Sequence, residues 1–379
     1  MNPFVPSSNK RKVKDGIGTV IFAMFTYGLL FCTLFIFWDI TKKGLPVLFG
    51  NEGSFVNTKF LTEMPETLVE FENEAGERVR MDNPDFLEYA KENPDAVVNN
   101  KKTHSYSGGG ILGPLVGTAL LVIVCMIVAL VIGVSAAIYL NEYAKQGRVV
   151  GMIRLAIMNL AGVPSIVFGL FGFAFFCLTP WFPVITKSVD YDKTLAAIAI
   201  PFTSGYLSFQ GWGNSLIAGG LTLAVMVLPV IIAACEESLK AVPKGFREAS
   251  LALGATKWQC IRTAVLPYAT PGILTASVLG VTRVAGETAP IMFTAAVALK
   301  GKLPWMDSEG SGIFWLSNLL TQSVQAMPYH IYTVSARIPR SPATEAMQDG
   351  SVFVFLLLVI GLAMLSVLLR IYFRKNLKW

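Results

Sequence analysis

Two charged side chains stand four residues apart in "TRVAGETAP", residues 282–290, and they are the only charges between Ala264 and Leu299. An arginine fork contacts two oxygens of a tetrahedral oxyanion at once. A carboxylate beside it repels a fully ionised sulfate, yet it accepts a hydrogen bond from a protonated phosphate oxygen. Thr282 and Thr288 add hydroxyls on either side. Arg283 and Glu287 therefore suit hydrogen phosphate better than sulfate. As a helix staple the pair is worth only about 0.2–0.5 kcal/mol, and Arg before Glu is the poorer order. At the centre of a membrane helix each charge costs on the order of 2.5–3.5 kcal/mol. The pair cannot offset its own insertion, so a polar path or a partner must meet it.

The rest of the chain supplies the membrane. Of 379 residues, 53% are hydrophobic and only 15% charged, where a soluble domain carries about 25% charged residues. The apolar residues fall in long uncharged runs, and about 20 such residues cross a bilayer as a helix. The expected fold class is an all-α membrane protein with six transmembrane helices, near 17–38, 112–140, 155–179, 215–235, 268–296 and 351–369. The first run is longer than a signal-peptide core and lacks a small-residue cleavage site, so it reads as a retained helix. Residues 194–214 are uncharged but rich in turn formers and read as a loop. Residues 311–336 carry too many polar groups for a seventh span and read as interfacial. Five cysteines include none between 39 and 110, which implies no disulfide framework. His104 and His330 lack ligand spacing, so no metal site is expected.

Lys and Arg in short loops set orientation. Sixteen cluster around residues 10–14, 145–154, 240–262 and 370–378, against six at 187, 193, 300, 302, 337 and 340. Both termini are expected in the cytoplasm. The net charge of +6 follows from this asymmetry and matches a face beside anionic membrane lipid, with no nucleic acid required. The expected division is a cytoplasmic N-terminus and first helix over 1–38, an extracytoplasmic loop or small α+β insert over 39–110, a core over 111–373, and a tail over 374–379. Within the insert, "LVEFENEAGERVRM" alternates around Gly76 as a hairpin does, and Asn83 with Pro84 opens a helix.

Between the fourth and fifth spans, Pro243 can open a short helix and Gly254 can close it in the left-handed conformation. Phe246, Ala249, Ser250 and Leu253 fall on one face, with Lys244, Arg247 and Glu248 around the others. Such an amphipathic helix lies either in a partner's groove or on the bilayer surface.

The ordered pattern Glu248-Ala249-Ser250, three residues, then Gly254, resembles the EAA loop of ATP-binding-cassette importer permeases. Ser250 stands where that pattern has a second alanine. Together with "TRVAGETAPIMFTAA", "NLAGVPSIVFGLFG" and "IGVSAAIYLNEYA", it resembles the phosphate permeases of the PstA family. The resemblance implies the type I ABC importer permease fold with coupling helix 243–254, and an inner-membrane location. It also implies a PstC-like permease as heterodimer partner, an ATPase subunit dimer and a periplasmic phosphate-binding protein. By that resemblance Arg283 and Glu287 line the phosphate path, and residues 246–250, 253 and 254 couple to the ATPase. The 39–110 loop is longer than the family's. No GxxxxGK[ST] occurs in the chain, so it is expected to bind no cofactor, ATP and Mg being bound by the partner ATPase. Two related readings are a permease for sulfate, molybdate or phosphonate, and an ion-coupled secondary transporter. The latter would show an inverted repeat, and "TRVAGETAP" has no second copy. No nucleophile, histidine and acid cluster suggests an enzyme.

Overall fold

The computed structural model describes the chain apart from residues 1–8, 50–55, 73–77, 93–98, 146, 181–182, 187–193, 201–204, 307, 309–311, 342–343 and 377–379. The expected Gly76 turn lies outside the described residues.

In hydrocarbon the backbone has no hydrogen-bond partner outside the chain, so uncharged runs become helices. Among the described residues five are long and apolar enough to cross a membrane: α1 (Asn9–Phe49), α4 (Leu112–Ile138), α7 (Leu216–Lys240), α10 (Leu266–Ala285) and α14 (Glu345–Asn376). Between α1 and α4 stand α2 (Thr58–Thr62), strands β1 (Pro65–Glu72) and β2 (Arg78–Asp82), α3 (Asn83–Glu92) and β3 (Asn99–Gly109). Between α4 and α7 come α5 (Arg148–Ala161), α6 (Ser165–Gly172) and strands β4 (Pro183–Thr186), β5 (Ala196–Ala199) and β6 (Tyr206–Phe209). The remaining helices are α8 (Lys244–Ala252), α9 (Lys257–Cys260), α11 (Ala289–Thr294), α12 (Ile313–Thr321) and α13 (Met327–Tyr332).

Three expected spans take a different form. The first does not stop at residue 38: α1 continues to Phe49, where Lys43 pairs with Asp39 one turn earlier at 2.7 Å. Two charges paired along one helix face do not end it. The third is broken. Gly162 closes α5, Pro164 precedes α6, and the two helices meet at 100°. Proline fixes its own φ and drives the preceding residue, Val163, out of helical backbone. The fifth is broken too. Gly286 caps α10, and Pro290 occupies the second position of α11, where its missing N–H costs nothing.

Residues 194–214, expected as a loop, contribute β5 and β6 to an antiparallel sheet ordered β4-β6-β5. The first insertion forms a second sheet, β2-β1-β3, also antiparallel. Val69 and Phe71, two apart on β1, share one face of that sheet and are buried with Phe86 of α3. The Phe71 and Phe86 rings meet edge-on at 5.2 Å. Tyr106 of β3 anchors the insert to the bundle: it packs edge-on against buried His330 of α13, and its hydroxyl donates to the Ala298 carbonyl.

The main core lies between α4, α7 and α10. In α7, 67% of the most apolar stretch is buried within the chain; in α1 none is. The column is therefore α7, and α1 stands at the edge.

Burial, followed by repulsion from Asp82, pushes the Glu66 carboxyl in the insert up to about 6 from 4.5. A raised carboxyl binds its proton more tightly when folded. Its contribution to stability is full at low pH and is lost as pH rises from about 4.5 through 6. Glu66→Gln is expected to slow hydrogen exchange of β1 amides at neutral pH, with the difference vanishing at acid pH.

Candidate functional site

The helix break places the charged pair. Gly286 and Glu287 donate their N–H groups to the Arg283 and Val284 carbonyls, a tightened last turn that ends α10. Val284 and Ala285 are buried in the core, so their neighbours Arg283 and Gly286 face away from it. Arg283 sits in the last turn of α10, where a cation favours the helix dipole. Its side chain is 37% exposed and that of Glu287 20%, with Arg283 Nε 4.0 Å from Glu287 Oε1. That distance is the outer edge of an ion pair, and no hydrogen bond closes it among the described residues. The two outer nitrogens of the guanidinium are left for another acceptor.

The flanking hydroxyls differ. Thr282 Oγ1 turns back to its own helix, donating to the Val278 and Leu279 carbonyls at 3.1 and 3.2 Å. Thr288 caps the start of α11 and makes no side-chain cap hydrogen bond. Arg283, Glu287 and Thr288 are brought together at the break; the Thr282 hydroxyl is tied down beside them.

Small residues and backbone bonds hold the break in place. A Cβ on Gly169 of α6 would lie 3.0 Å from Pro290 Cα and 3.1 Å from the Ala289 carbonyl. Only glycine lets α6 approach α11 this closely. At the far end of α11, the Thr294 carbonyl accepts from Ser215 N–H, at the head of α7, at 2.9 Å. Ala296 bridges Val324 just beyond.

The second candidate surface lies at the opposite ends of α7 and α10. Pro243 precedes α8, and Gly254 follows it at φ +83 with open space beside it. The Phe246 ring packs against that of Tyr268, tilted at 45° with centroids 5.2 Å apart. Glu248 and Ala249 are exposed, Ser250 is half-buried, and Leu253 is 90% exposed. Arg247 turns inward. Its Nη2 lies 2.7 Å from Glu142 Oε1, in the π-helical turn that ends α4. It also donates to the Val242 and Leu239 carbonyls at 2.8 and 2.9 Å. Periodicity alone does not reveal Leu251 and Trp258, which extend the exposed apolar surface, because they lie outside the single face read on α8. Nor does it reveal Glu142, 105 residues away from Arg247 in sequence.

Comparison with known proteins agrees with this architecture. Residues 129–378 match the family described as binding-protein-dependent transport system inner membrane component. The chain belongs to that family. It is 29% identical over 273 residues to the probable ABC transporter permease protein YqgI of Bacillus subtilis (strain 168), covering 70% of this chain and 80% of that protein. It is 29% identical over 270 residues to the phosphate transport system permease protein PstA of Yersinia pestis, covering 71% and 74%. It is 32% identical over 259 residues to PstA 2 of Mycobacterium bovis, covering 67% and 71%. The resemblance to PstA permeases carried by the motifs thus extends over about 70% of the chain, and this multi-pass membrane protein is a transport permease.

Gly169→Val places a branched side chain against the backbone of α11. Overpacking of this kind costs about 1–3 kcal/mol, and a lowered unfolding midpoint in detergent is the expected result.

Proposed function

We propose that this chain is a permease subunit of an ATP-driven importer of inorganic phosphate in the bacterial inner membrane, with both termini in the cytoplasm. The observation that carries the reading is Arg283: a guanidinium in the last turn of a membrane-length helix, facing away from its own core, whose outer nitrogens have no acceptor among the described residues. A charge so placed needs a polar path or a second subunit over it. The PstC-like permease is the partner that fits, with the path between the two subunits. Arg283 holds the anion, Glu287 accepts from a protonated oxygen, and the Thr288 hydroxyl adds a donor.

The outer half receives phosphate from a periplasmic phosphate-binding protein. At the other end, the exposed residues of α8 dock on an ATPase dimer that binds ATP and magnesium; this chain binds neither. Closure of that dimer presses on α8 and alternates access. The family assignment and the relatives' names support this reading, and sulfate, molybdate or phosphonate import is the alternative its test must separate.

Radiolabelled phosphate uptake, in cells lacking another high-affinity system and expressing the chain with its partners, is the measurement. Arg283→Gln loses charge-assisted hydrogen bonds, each worth about 1.5–3 kcal/mol, and uptake is expected to fall at least about tenfold with unchanged membrane abundance. Excess sulfate should leave wild-type uptake intact. Normal uptake by the variant sinks the site, and competition by sulfate sinks the cargo. Gly254→Val forces a β-branched residue into left-handed backbone at a cost of about 1–2 kcal/mol. ATP hydrolysis without matching phosphate uptake is the expected outcome.

A further inference from the structure

A second arginine repeats the geometry of Arg247 in reverse. Arg154 of α5 donates to the Leu140 carbonyl, where α4 passes into its π-helical turn, at 3.0 Å. Its Nε lies 3.2 Å from Glu236 Oε2 on α7, and Lys240 reaches the same oxygen at 3.0 Å. Arg247 takes the opposite combination, the closing carbonyls of α7 and a carboxylate at the end of α4. Each arginine thus binds a backbone carbonyl at the end of one helix and the carboxylate of the other. Helix ends leave carbonyls unpaired and carry partial negative charge, so a cation there is doubly favoured.

Both carboxylates are deeply set, with 9% of the Glu142 side chain and 8% of that of Glu236 exposed. A surface ion pair contributes little, but a partly buried fork with several acceptors holds a fixed geometry. The hold matters because α8 buries none of its residues. Among the described residues its side-chain links to the bundle include Phe246 against Tyr268 and Arg247 on Glu142.

We infer that Arg247–Glu142 and Arg154–Glu236 form a reciprocal clamp that delivers movement of α8 to α4 and α7 together, making Arg247 and Glu142 positioning residues for transport. From there the packing continues to the site. A Cβ on Gly280 of α10 would lie 3.2 Å from Met126 of α4 and 3.3 Å from Ile231 of α7, and Arg283 follows one turn later. The inference rests on the ATPase-docking reading of α8 and adds the route by which docking reaches the path.

The test is phosphate transported per ATP hydrolysed in proteoliposomes holding the full complex. Arg247→Lys keeps the charge but loses the fork, and Glu142→Gln keeps an acceptor but loses the charge. Each is expected to raise ATP consumed per phosphate about fivefold, the low end of a coupling energy. The double variant should be no worse than either single one, because both remove the same link. A ratio unchanged in both single variants, or multiplied in the double, overturns the clamp. Should Glu142→Gln fail to accumulate, Glu142→Asp withdraws the carboxylate by one methylene and gives the same readout. Leu253→Asp separates the underlying reading: loss of the ATPase on purification supports docking at α8, and full retention overturns docking itself.

Discussion

The placement of a guanidinium in the last turn of a membrane-length helix constrains the structure around it. Arg283 has one carboxylate near it, at the limit of an ion pair, and so loose a pair contributes little. Arg283 stands in the last turn of α10, which ends at Ala285. The dipole of the closing helix favours a cation there, and the chain leaves helical geometry at Gly286–Thr288, where, on the proposed reading, backbone and side chain together meet a polar path. Every feature around the break serves its rigidity: the glycine contact from α6, the Ser215 hydrogen bond from the head of α7, and the bridge from Ala296 to Val324.

Burial follows the same logic. The α7 helix reaches both regions, with Ser215 at its head bonded to the far end of α11 and Leu239 beneath Arg247. It is accordingly the most enclosed of the long helices, whereas α1 keeps its apolar face outside this chain. An apolar surface open to lipid carries no penalty in a membrane, so exposure of α1 and enclosure of α7 are both stable arrangements. The insert is built differently. It has its own small aromatic core and reaches the bundle through Tyr106, whose hydroxyl ends on Ala298, four residues beyond α11.

Local signals in the sequence were sufficient wherever local chemistry decides. Pro243 and Gly254 bracket α8 because one fixes a helix start and the other is free to adopt φ +83. Asn83 and Pro84 open α3 for the same reason. Hydropathy locates the spans but not their interruptions. Whether a proline such as Pro164 or Pro290 kinks, ends or merely opens a membrane helix depends on what receives the freed carbonyls. Pairing across distance was illegible for a different reason. The helical period puts Arg247 beside the apolar face of α8 without saying that Glu142, in the π-helical turn that ends α4, will draw it inward. The β4-β6-β5 sheet escaped notice because "TLAAIAIP" and "GYLSFQ" are short runs flanked by turn formers, which suit edge strands and loops equally.

The looseness of the Arg283–Glu287 contact is itself informative. Had the two closed into a bidentate pair, the fork would be spent and the carboxylate neutralised. Such a site would hold its own charges and repel little. At 4.0 Å through a single nitrogen, the arginine keeps its outer donors and the carboxylate oxygens stay open to another donor. An incoming oxyanion then meets attraction from one and repulsion from the other, unless it brings a proton to place between its own oxygen and Glu287. Discrimination on the reading proposed here comes from that unpaired negative charge more than from the positive one, since an arginine alone welcomes any tetrahedral anion. The helix break maintains the separation: Glu287 lies beyond the end of α10, where the regular i,i+4 geometry that would bring the two side chains together no longer applies.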